Sequence, residues 1–295
     1  MTELVQTLVR GLGSGCIYAL LAVGFVIIYK SMRIISFAQP SLMLAGAVLV
    51  SYLATTVGFY AAVALAALGI AVLALGIERS TIRPLVGRPI FVIAIVTIGI
   101  DIVVRVIVNG FIGLDVRQVG DPWGLKTVSI GSVLIQQRHL AMIATTLVLV
   151  AVLFAFFRYT RLGLAMRAAS FDQEAALAQG VSVGLVFATS WAMAGALAAV
   201  AGAFVGTGAG IDQLTWIIAF KALAAIILGG LDSLGGAVIG GLTVGVVESL
   251  VATYQQDWAP WLGQNFAVVS PYVLMMLVLL IRPYGLFGTP EVERV

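Results

Sequence analysis

Four charged residues lie within long apolar segments of this sequence and are its clearest candidates for chemistry. Asp101 and Arg105 are four positions apart, so on a helix they share one face and can form an ion pair. Lys221 and Glu248 fall near the outer ends of two successive apolar segments that would run antiparallel. They would therefore lie at similar depth, which predicts a second pair. An ionisable group in such surroundings is a functional candidate, but a structural ion pair that fixes helix packing is the alternative that we favour for both.

The remaining side chains offer no catalytic or metal-binding set. The 295 residues include one cysteine, Cys16, and one histidine, His139. These numbers exclude an internal disulfide and leave no His-based metal site or catalytic dyad. The phosphate-loop pattern G-x-x-x-x-G-K-[ST] is also missing, because Tyr29 stands where the second glycine is required. We therefore expect no catalytic residue, no metal and no cofactor on this chain.

The composition is that of a chain dissolved in lipid. Hydrophobic residues make up 61% and charged residues 10%, whereas about a quarter of a soluble domain is charged. Only helices satisfy the backbone in lipid here, since no alternating strand pattern is present. We predict an all-α membrane protein, a polytopic helical bundle of about nine spans with discontinuous helices, in a single transmembrane domain over 1–295. The candidate spans are 11–29, 37–57, 60–77, 90–112, 140–157, 184–206, 217–231, 234–253 and 265–281.

Positive charges predict the orientation of these spans. With the N-terminus outside, the outer loops hold only Arg10, Arg117, Lys126 and Arg138. The inner loops hold Lys30, Arg33, Arg79, Arg83, Arg88, Arg158, Arg161, Arg167, Arg282 and Arg294. The start stays open: because Pro40 disfavours a helical Gln39, the alternative to the span 37–57 is a broken or re-entrant segment at 34–44, which would reverse the N-terminus.

Two segments are expected to interrupt helices within the membrane. Gln39-Pro40 breaks the first, at 36–43, and paired glycines break the second, at 229–236. Interrupted helices free backbone polar groups, which are tolerated only against protein or a water-filled cavity. The first segment is therefore expected to line a translocation path with Ser36, Phe37, Gln39 and Ser41, and the second with Gly229, Gly230, Asp232 and Ser233. Tight helix packing without water is the alternative.

The longest outer loop, 113–139, is rich in turn residues. Val128, Ile130, Val133 and Ile135 suggest one or two short strands within it. A belt of tryptophans is expected at the outer boundary, at Trp123, Trp216, Trp258 and Trp261.

A short polar segment at 170–180 interrupts the apolar sequence. Ser170 with Gln173 fits a capping box, and Gly180 fits a helix stop. Asp172 and Glu174 would lie in the first turn, where they suit the helix dipole. The segment predicts an inner-side helix of about two and a half turns, with Phe171, Ala175 and Ala178 on its apolar face. An ordinary interfacial helix that connects two spans is the alternative.

Four sequence motifs follow one another along nearly the whole chain. They are G-C-I-Y-A-L-L-A-V-G at 15–24, I-I-S-F-A-Q at 34–39, E-A-A-x-x-x-G at 174–180 and L-G-G-L-D-S-L-G-G-A-V-I-G-G at 228–241. The third motif resembles the cytoplasmic coupling motif of permease subunits of ABC importers. The other three resemble two N-terminal motifs and the glycine-rich motif of the branched-chain amino-acid permease family of these importers. The sequence departs from the family pattern at Ser36, at Gln39-Pro40, at Asp232 and at Gln173, which replaces a common proline.

The resemblance implies a fold, a function and a set of partners. It implies a type II-importer-like permease in the bacterial plasma (inner) membrane that imports branched-chain or related small amino acids. The resemblance also implies three kinds of partner. The chain would form a heterodimer with a second permease subunit and work with two cytoplasmic ATPase subunits that hold ATP and magnesium. It would receive substrate from an extracytoplasmic binding protein. The residues expected to couple to the ATPases are Arg167, Asp172, Glu174, Ala175, Ala176 and Gly180.

Other functions remain open at this point. A permease for urea, amides or small organic acids fits the same features. A secondary carrier or channel that uses Asp101, Arg105 and Glu248 for ion coupling has no need of a docking helix at 170–180. An intramembrane enzyme would need a metal motif, a Ser/Lys site or paired aspartates, none of which the sequence shows.

Overall fold

The computed structural model describes residues 2–131, 133–208, 210–263 and 265–289. Arg294, one of the predicted inner-side cations, lies outside these residues. The helices are α1 (Thr2–Met32), α2 (Gln39–Val57), α3 (Phe59–Ile77), α4 (Ile90–Ile112), α5 (Gln137–Tyr159), α6 (Arg161–Phe171), α7 (Gln173–Ala178), α8 (Val183–Val205), α9 (Ile218–Gly229), α10 (Leu234–Trp258) and α11 (Phe266–Ile281). One antiparallel hairpin, β1 (Thr127–Ile130) with β2 (Val133–Gln136), confirms the predicted strands of the loop 113–139.

The prediction of an all-α membrane protein is confirmed. Seven helices of the described residues, α1 to α5, α8 and α10, are long and apolar enough to cross a membrane. Two shorter apolar segments, Thr215–Gly229 and Phe266–Ile281, bring the number close to the predicted nine. The predicted bounds agree well with these elements, and α1 is the main exception because its helix already begins at Thr2.

The chain divides into two compact units. Unit 1 takes its described residues from Met1–Val26, Trp123–Thr146 and Ala219–Val295, and unit 2 from Ile27–Pro122 and Leu147–Ile218. Both units are built from membrane helices. The single transmembrane domain over 1–295 stays a prediction.

In unit 2, small residues bring α2, α3 and α8 into backbone contact. A Cβ added to Gly202 on α8 would lie 2.1 Å from the carbonyl oxygen of Met43 on α2, and one added to Gly46 would lie 2.3 Å from Cα of Ala199. Gly195 is similarly close to Ile70 on α3. In lipid the hydrophobic effect does not drive helices together, so the van der Waals packing that this close approach allows stabilises their association.

Unit 1 uses the same device between α1 and α10. A Cβ on Gly245 would lie 2.2 Å from the backbone nitrogen of Gly15, and one on Gly241 would lie 2.4 Å from that of Ala19. Ser249 adds a polar contact, because its hydroxyl donates to the carbonyl of Thr7 at 2.9 Å. Gly15 and Gly241, from the sequence motifs 15–24 and 228–241, are therefore packing residues of this helix pair.

The first predicted break is present, although its position differs. Residues 33–38 are not helical, and α2 begins at Gln39. The predicted extension of this break to residue 43 is wrong, since that prediction takes Pro40 as a residue that interrupts the helix. Pro40 instead lies in the first turn of α2, where its missing N–H has no intrahelical partner to lose.

The predicted tryptophan belt is correct only in part. Trp258 and Trp261 are strongly exposed, as expected at a lipid interface. Trp123 is buried, so it does not belong to such a belt. Trp216 lies beneath the guanidinium of Arg105 in unit 2.

Candidate functional site

The segment between α5 and α8 folds as two short helices and not as the single helix predicted at 170–180. Ser170 belongs to the end of α6, so it cannot cap the next helix. Asp172 has extended backbone angles, and its carboxylate accepts a 2.9 Å hydrogen bond from the backbone N–H of Ala175. The predicted Ser170–Gln173 capping box is therefore wrong, and Asp172 is the residue that caps α7.

Gly180 ends this segment as predicted. Its φ of +81° is in the left-handed region that favours glycine. The backbone N–H of Gly180 donates to the carbonyl of Leu177 at 2.9 Å, and that of Val181 donates to the carbonyl of Ala176 at 3.0 Å. These bonds satisfy carbonyls that the end of a helix leaves without partners.

The two faces of α7 differ from those predicted. Ala176 is buried, whereas Glu174, Ala175, Ala178 and Arg167 on α6 are exposed. Two large apolar side chains beside them are also exposed, Phe171 at 90% and Leu177 at 57%. We name the segment Arg161–Gly180 the coupling segment. Its two short helices, α6 and α7, therefore expose both apolar and charged side chains.

Sequence reasoning missed two hydrogen bonds that join the coupling segment to the end of α1. The side-chain amide of Gln173 donates to the carbonyl of Ser31 at 2.9 Å. The guanidinium of Arg33 donates to the carbonyl of Ser170 at 3.0 Å. No sequence signal pointed to these contacts, because the bonded residues are 142 and 137 positions apart.

A third tie holds the start of α8, just after the coupling segment. Arg83 donates to both carboxylate oxygens of the fully buried Glu78, each at 3.0 Å. The same guanidinium donates to the carbonyl of Gly184 at 2.8 Å. The bidentate pair thus joins the end of α3 to the first turn of α8.

The four predicted path residues around the first break lie in unit 2. Ser36, Gln39 and Ser41 are fully buried, and Phe37 is half-buried. The backbone N–H of Phe37 donates to the hydroxyl of Thr97 on α4 at 3.0 Å. Within the described residues, neither amide atom of Gln39 has a hydrogen-bond partner.

Asp101 also holds this break, beyond the ion pair foreseen from its spacing. One carboxylate oxygen accepts the backbone N–H of Ser41 at 3.0 Å, and the other lies 3.1 Å from the guanidinium of Arg105. Arg105 in turn lies 3.7 Å from the ring centre of Trp216. Asp101 therefore supplies the first turn of α2 with the side-chain cap that α2 lacks from its own residues.

In unit 1 the predicted partners Lys221 and Glu248 form an ion pair. The hydroxyl of Tyr18 on α1 donates to the second carboxylate oxygen of Glu248 at 2.7 Å. Lys221 also lies 5.8 Å from the ring centre of Tyr18. No sequence pattern predicts this hydrogen bond of Tyr18, because Glu248 is 230 positions away.

The second break lies at 230–233, between α9 and α10. A Cβ on Gly229 would lie 2.1 Å from the carbonyl oxygen of Gly236, and one on Gly230 would lie 2.5 Å from the backbone nitrogen of Gly288. Ser233 caps α10 by accepting the N–H of Gly236 at 3.0 Å. Asp232 accepts hydrogen bonds from Thr289. These contacts agree with the alternative of tight helix packing. The path-lining role of this segment stays a prediction.

Comparison with known proteins identifies the family. The family model described as the permease component of branched-chain amino acid transport systems matches residues 7–281. The high-affinity branched-chain amino acid transport system permease protein BraD of Pseudomonas aeruginosa is 31% identical over 99% of this chain and 98% of its own length. The corresponding protein LivH of Salmonella typhimurium is 29% identical over 99% of this chain and 97% of its own length.

Among solved structures, a chain of PsaBC from Streptococcus pneumoniae in complex with Fab is 12% identical to this chain. It matches 94% of this chain and 92% of its own length with a TM-score of 0.48.

The sequence matches and the apolar helices agree with each other. A family match over most of the chain, with seven helices able to cross a membrane, describes a multi-pass protein of the bacterial inner membrane. The relatives BraD and LivH are both named as permease proteins of branched-chain amino acid transport systems. The chain belongs to the family of permease components of branched-chain amino acid transport systems.

Proposed function

We propose that this chain is the membrane-spanning permease subunit of an ATP-driven importer of branched-chain or related small amino acids. The family match and the names of BraD and LivH support the substrate class. We propose that the chain works as a single transmembrane domain and forms the translocation path together with a second permease subunit. An extracytoplasmic binding protein delivers the substrate to the outer loops at 113–139 and 254–264.

The observation that carries the proposal is the coupling segment. Its helix α7 is capped by Asp172 and stopped by Gly180, so its short backbone is fixed without help from lipid. Phe171 and Leu177 expose apolar surface beside Glu174 and Arg167. Exposed apolar surface that is rimmed by polar and charged residues marks sites of protein interaction. We assign it to one of two cytoplasmic ATPase subunits, which hold ATP and magnesium and drive the transporter.

The break before α2 is our candidate for the lining of the path. Gln39 is fully buried and lacks a hydrogen-bond partner among the described residues. Leaving a buried polar group unpaired lowers stability by about 1–3 kcal/mol. A protein tolerates such a group where a second conformational state supplies it with a hydrogen-bond partner. Water or the polar end of an amino acid would supply it when the path opens, with Ser36 and Ser41 beside it.

The carrier alternative is weaker on the same geometry. Asp101 is bonded to Ser41 and Arg105, and Glu248 is bonded to Tyr18 and Lys221. Both carboxylates therefore have partners that account for their place in the membrane, and neither needs an ion-coupling role.

The test is reconstitution of the whole transporter with its ATPases and binding protein in proteoliposomes. Glu174→Ala and Gly180→Ala should lower uptake of leucine, isoleucine or valine at least tenfold while the chain still reaches the membrane. Glu3→Ala and Gly58→Ala are matched controls, since Glu3 is exposed and Gly58 has a φ of +80° with open space around it. Normal uptake in the Glu174 and Gly180 variants would refute the docking role. Uptake of urea or acetamide in place of leucine would refute the substrate class.

A further inference from the structure

We propose that Gln173 and Arg33 are positioning residues that transmit movement of the coupling segment to the break before α2. Their two hydrogen bonds, Gln173 to Ser31 and Arg33 to Ser170, are named here the coupling clamp. The inference rests on the proposed docking of the coupling segment to an ATPase, and it adds the route by which that docking reaches the path.

The coupling clamp is reciprocal. Gln173 belongs to the coupling segment and binds a carbonyl of α1, whereas Arg33 follows α1 and binds a carbonyl of α6. Ser31 and Ser170 both lie within the last four residues of their helices, where carbonyls have no partner within the helix. Because both acceptors are backbone groups, the clamp holds the helix ends themselves and not just two side chains.

The clamp acts at the residue where α1 stops. Arg33 has a φ of +57°, and it is the only non-glycine residue of the described ranges with a positive φ. The left-handed conformation costs an ordinary residue about 1–2 kcal/mol. Such a conformation persists when surrounding contacts hold it in place. The bond from Arg33 to Ser170 is a contact of this kind.

The other end of the break is attached to a different helix. Phe37 is bonded to Thr97, and Ser41 is bonded to Asp101, so residues 37–41 are fixed to α4. The intervening chain, 33–36, can span at most about 14 Å even when fully extended, so it links the two attachments closely. A movement of the coupling segment relative to α4 must therefore change the backbone of this break, which leads directly into Gln39.

The position of Gln173 agrees with this role. Gln173 is the first residue of α7, and its side-chain amide reaches out of this helix to the carbonyl of Ser31. A carboxylate of the same shape cannot donate to the carbonyl of Ser31. Gln173→Glu therefore removes one bond of the clamp and leaves the Asp172 cap in place.

The experiment compares amino acid imported per ATP hydrolysed, for the complete transporter in proteoliposomes. Gln173→Glu, Arg33→Ala and Arg33→Gly should each lower this ratio about fivefold to tenfold, as expected for one lost hydrogen bond in the coupled step. Arg33→Lys, which can still donate to a carbonyl, should recover at least half of it. Arg33→Gly relieves the backbone strain without restoring the bond, so it separates the two effects. Arg88→Ala, at an exposed arginine of the loop before α4, is the control and should match the unaltered chain.

The double variant Gln173→Glu with Arg33→Ala decides whether the two bonds act together. Because they hold one joint, its ratio should fall no more than about twofold below the lower single variant. All clamp variants should retain their ATPases on purification, since the exposed face of α7 is unchanged. An unaltered ratio in the clamp variants, with uncoupling by Glu174→Ala, would overturn the clamp alone. If Glu174→Ala also leaves the ratio unaltered, the proposed docking fails as well.

Discussion

The carboxylate of Asp101 on α4 accepts the backbone N–H of Ser41 at the start of α2, at a distance of 3.0 Å. A helix that begins within the membrane needs acceptors for its first N–H groups, because lipid supplies none. Pro40 removes one of these donors, and Asp101 accepts another from a neighbouring helix. An intramembrane charge that could have been read as an ion-coupling site thus has a structural use.

This arrangement predicts a large effect of removing the carboxylate. Asp101→Ala should lower the free energy of unfolding by about 3 kcal/mol, because the half-buried Arg105 loses its carboxylate partner and the N–H of Ser41 loses its acceptor. Asp101→Asn keeps an acceptor for Ser41 and should be milder. Thermal unfolding of the purified chain in detergent measures both.

The matched control for Asp101 is the exposed Asp115. Asp115→Asn should leave the unfolding temperature unchanged, since this side chain lies on a loop. Equal stability of Asp101→Ala and the unaltered chain would show that the cap and the ion pair contribute nothing to folding.

The second ion pair predicts a test between structure and ion coupling. Glu248→Ala should strongly destabilise the chain, since it leaves Lys221 and the hydroxyl of Tyr18 without their shared partner. The double variant Lys221→Met with Glu248→Leu should recover most of the stability, because it removes both charges together. It should also retain at least half of the uptake in proteoliposomes.

An ion-coupled carrier would behave differently in this series. The double variant would then be stable but inactive, and uptake by the unaltered chain would respond to a proton or sodium gradient without ATP. Stability and uptake measured on one preparation separate these outcomes.

Glycine spacing predicts a contrast between two otherwise similar substitutions. Gly202→Ala should destabilise unit 2 by about 1–3 kcal/mol, as overpacking does, because the new Cβ would lie 2.1 Å from the carbonyl oxygen of Met43. Gly99→Ala on α4 meets no atom within 4 Å. It should be neutral or stabilising, since alanine is the better helix former by about 1 kcal/mol. Thermal unfolding in detergent compares the two, and equal effects would exclude close packing of α2 and α8.

Hydropathy was sufficient to predict the spans, and the reason is physical. Lipid forces each membrane segment to be an apolar helix, so length and composition nearly determine bounds such as those of α4, 90–112. The first break was predicted from Pro40, at 36–43, whereas the structure has it between Met32 and Gln39. A proline is compatible with the first turn of a helix, and sequence alone does not say which turn it occupies.

The contacts of the coupling segment could not be predicted in the same way. Ser170 and Asp172 are both good helix caps, and the choice between them depends on how far α6 continues. The bonds of Gln173 to Ser31 and of Asp101 to Ser41 join residues 142 and 60 positions apart. One sequence contains no information about which distant carbonyl or N–H will meet a given side chain.

The orientation of the chain is the last prediction, and it rests on the positive charges of the loops. Leu114, which is 98% exposed, and Gln256, which is also exposed, should face the outside of the membrane. Each is replaced by cysteine in a Cys16→Ser background, because Cys16 is the only cysteine and is buried. A membrane-impermeant thiol reagent should label both variants in intact cells. A cysteine at Leu177 on α7 is the matched opposite case, since it is also exposed but should be labelled only after the membrane is opened. The reverse pattern would place the coupling segment outside, where no ATPase can reach it, and would refute both the orientation and the docking role of α7.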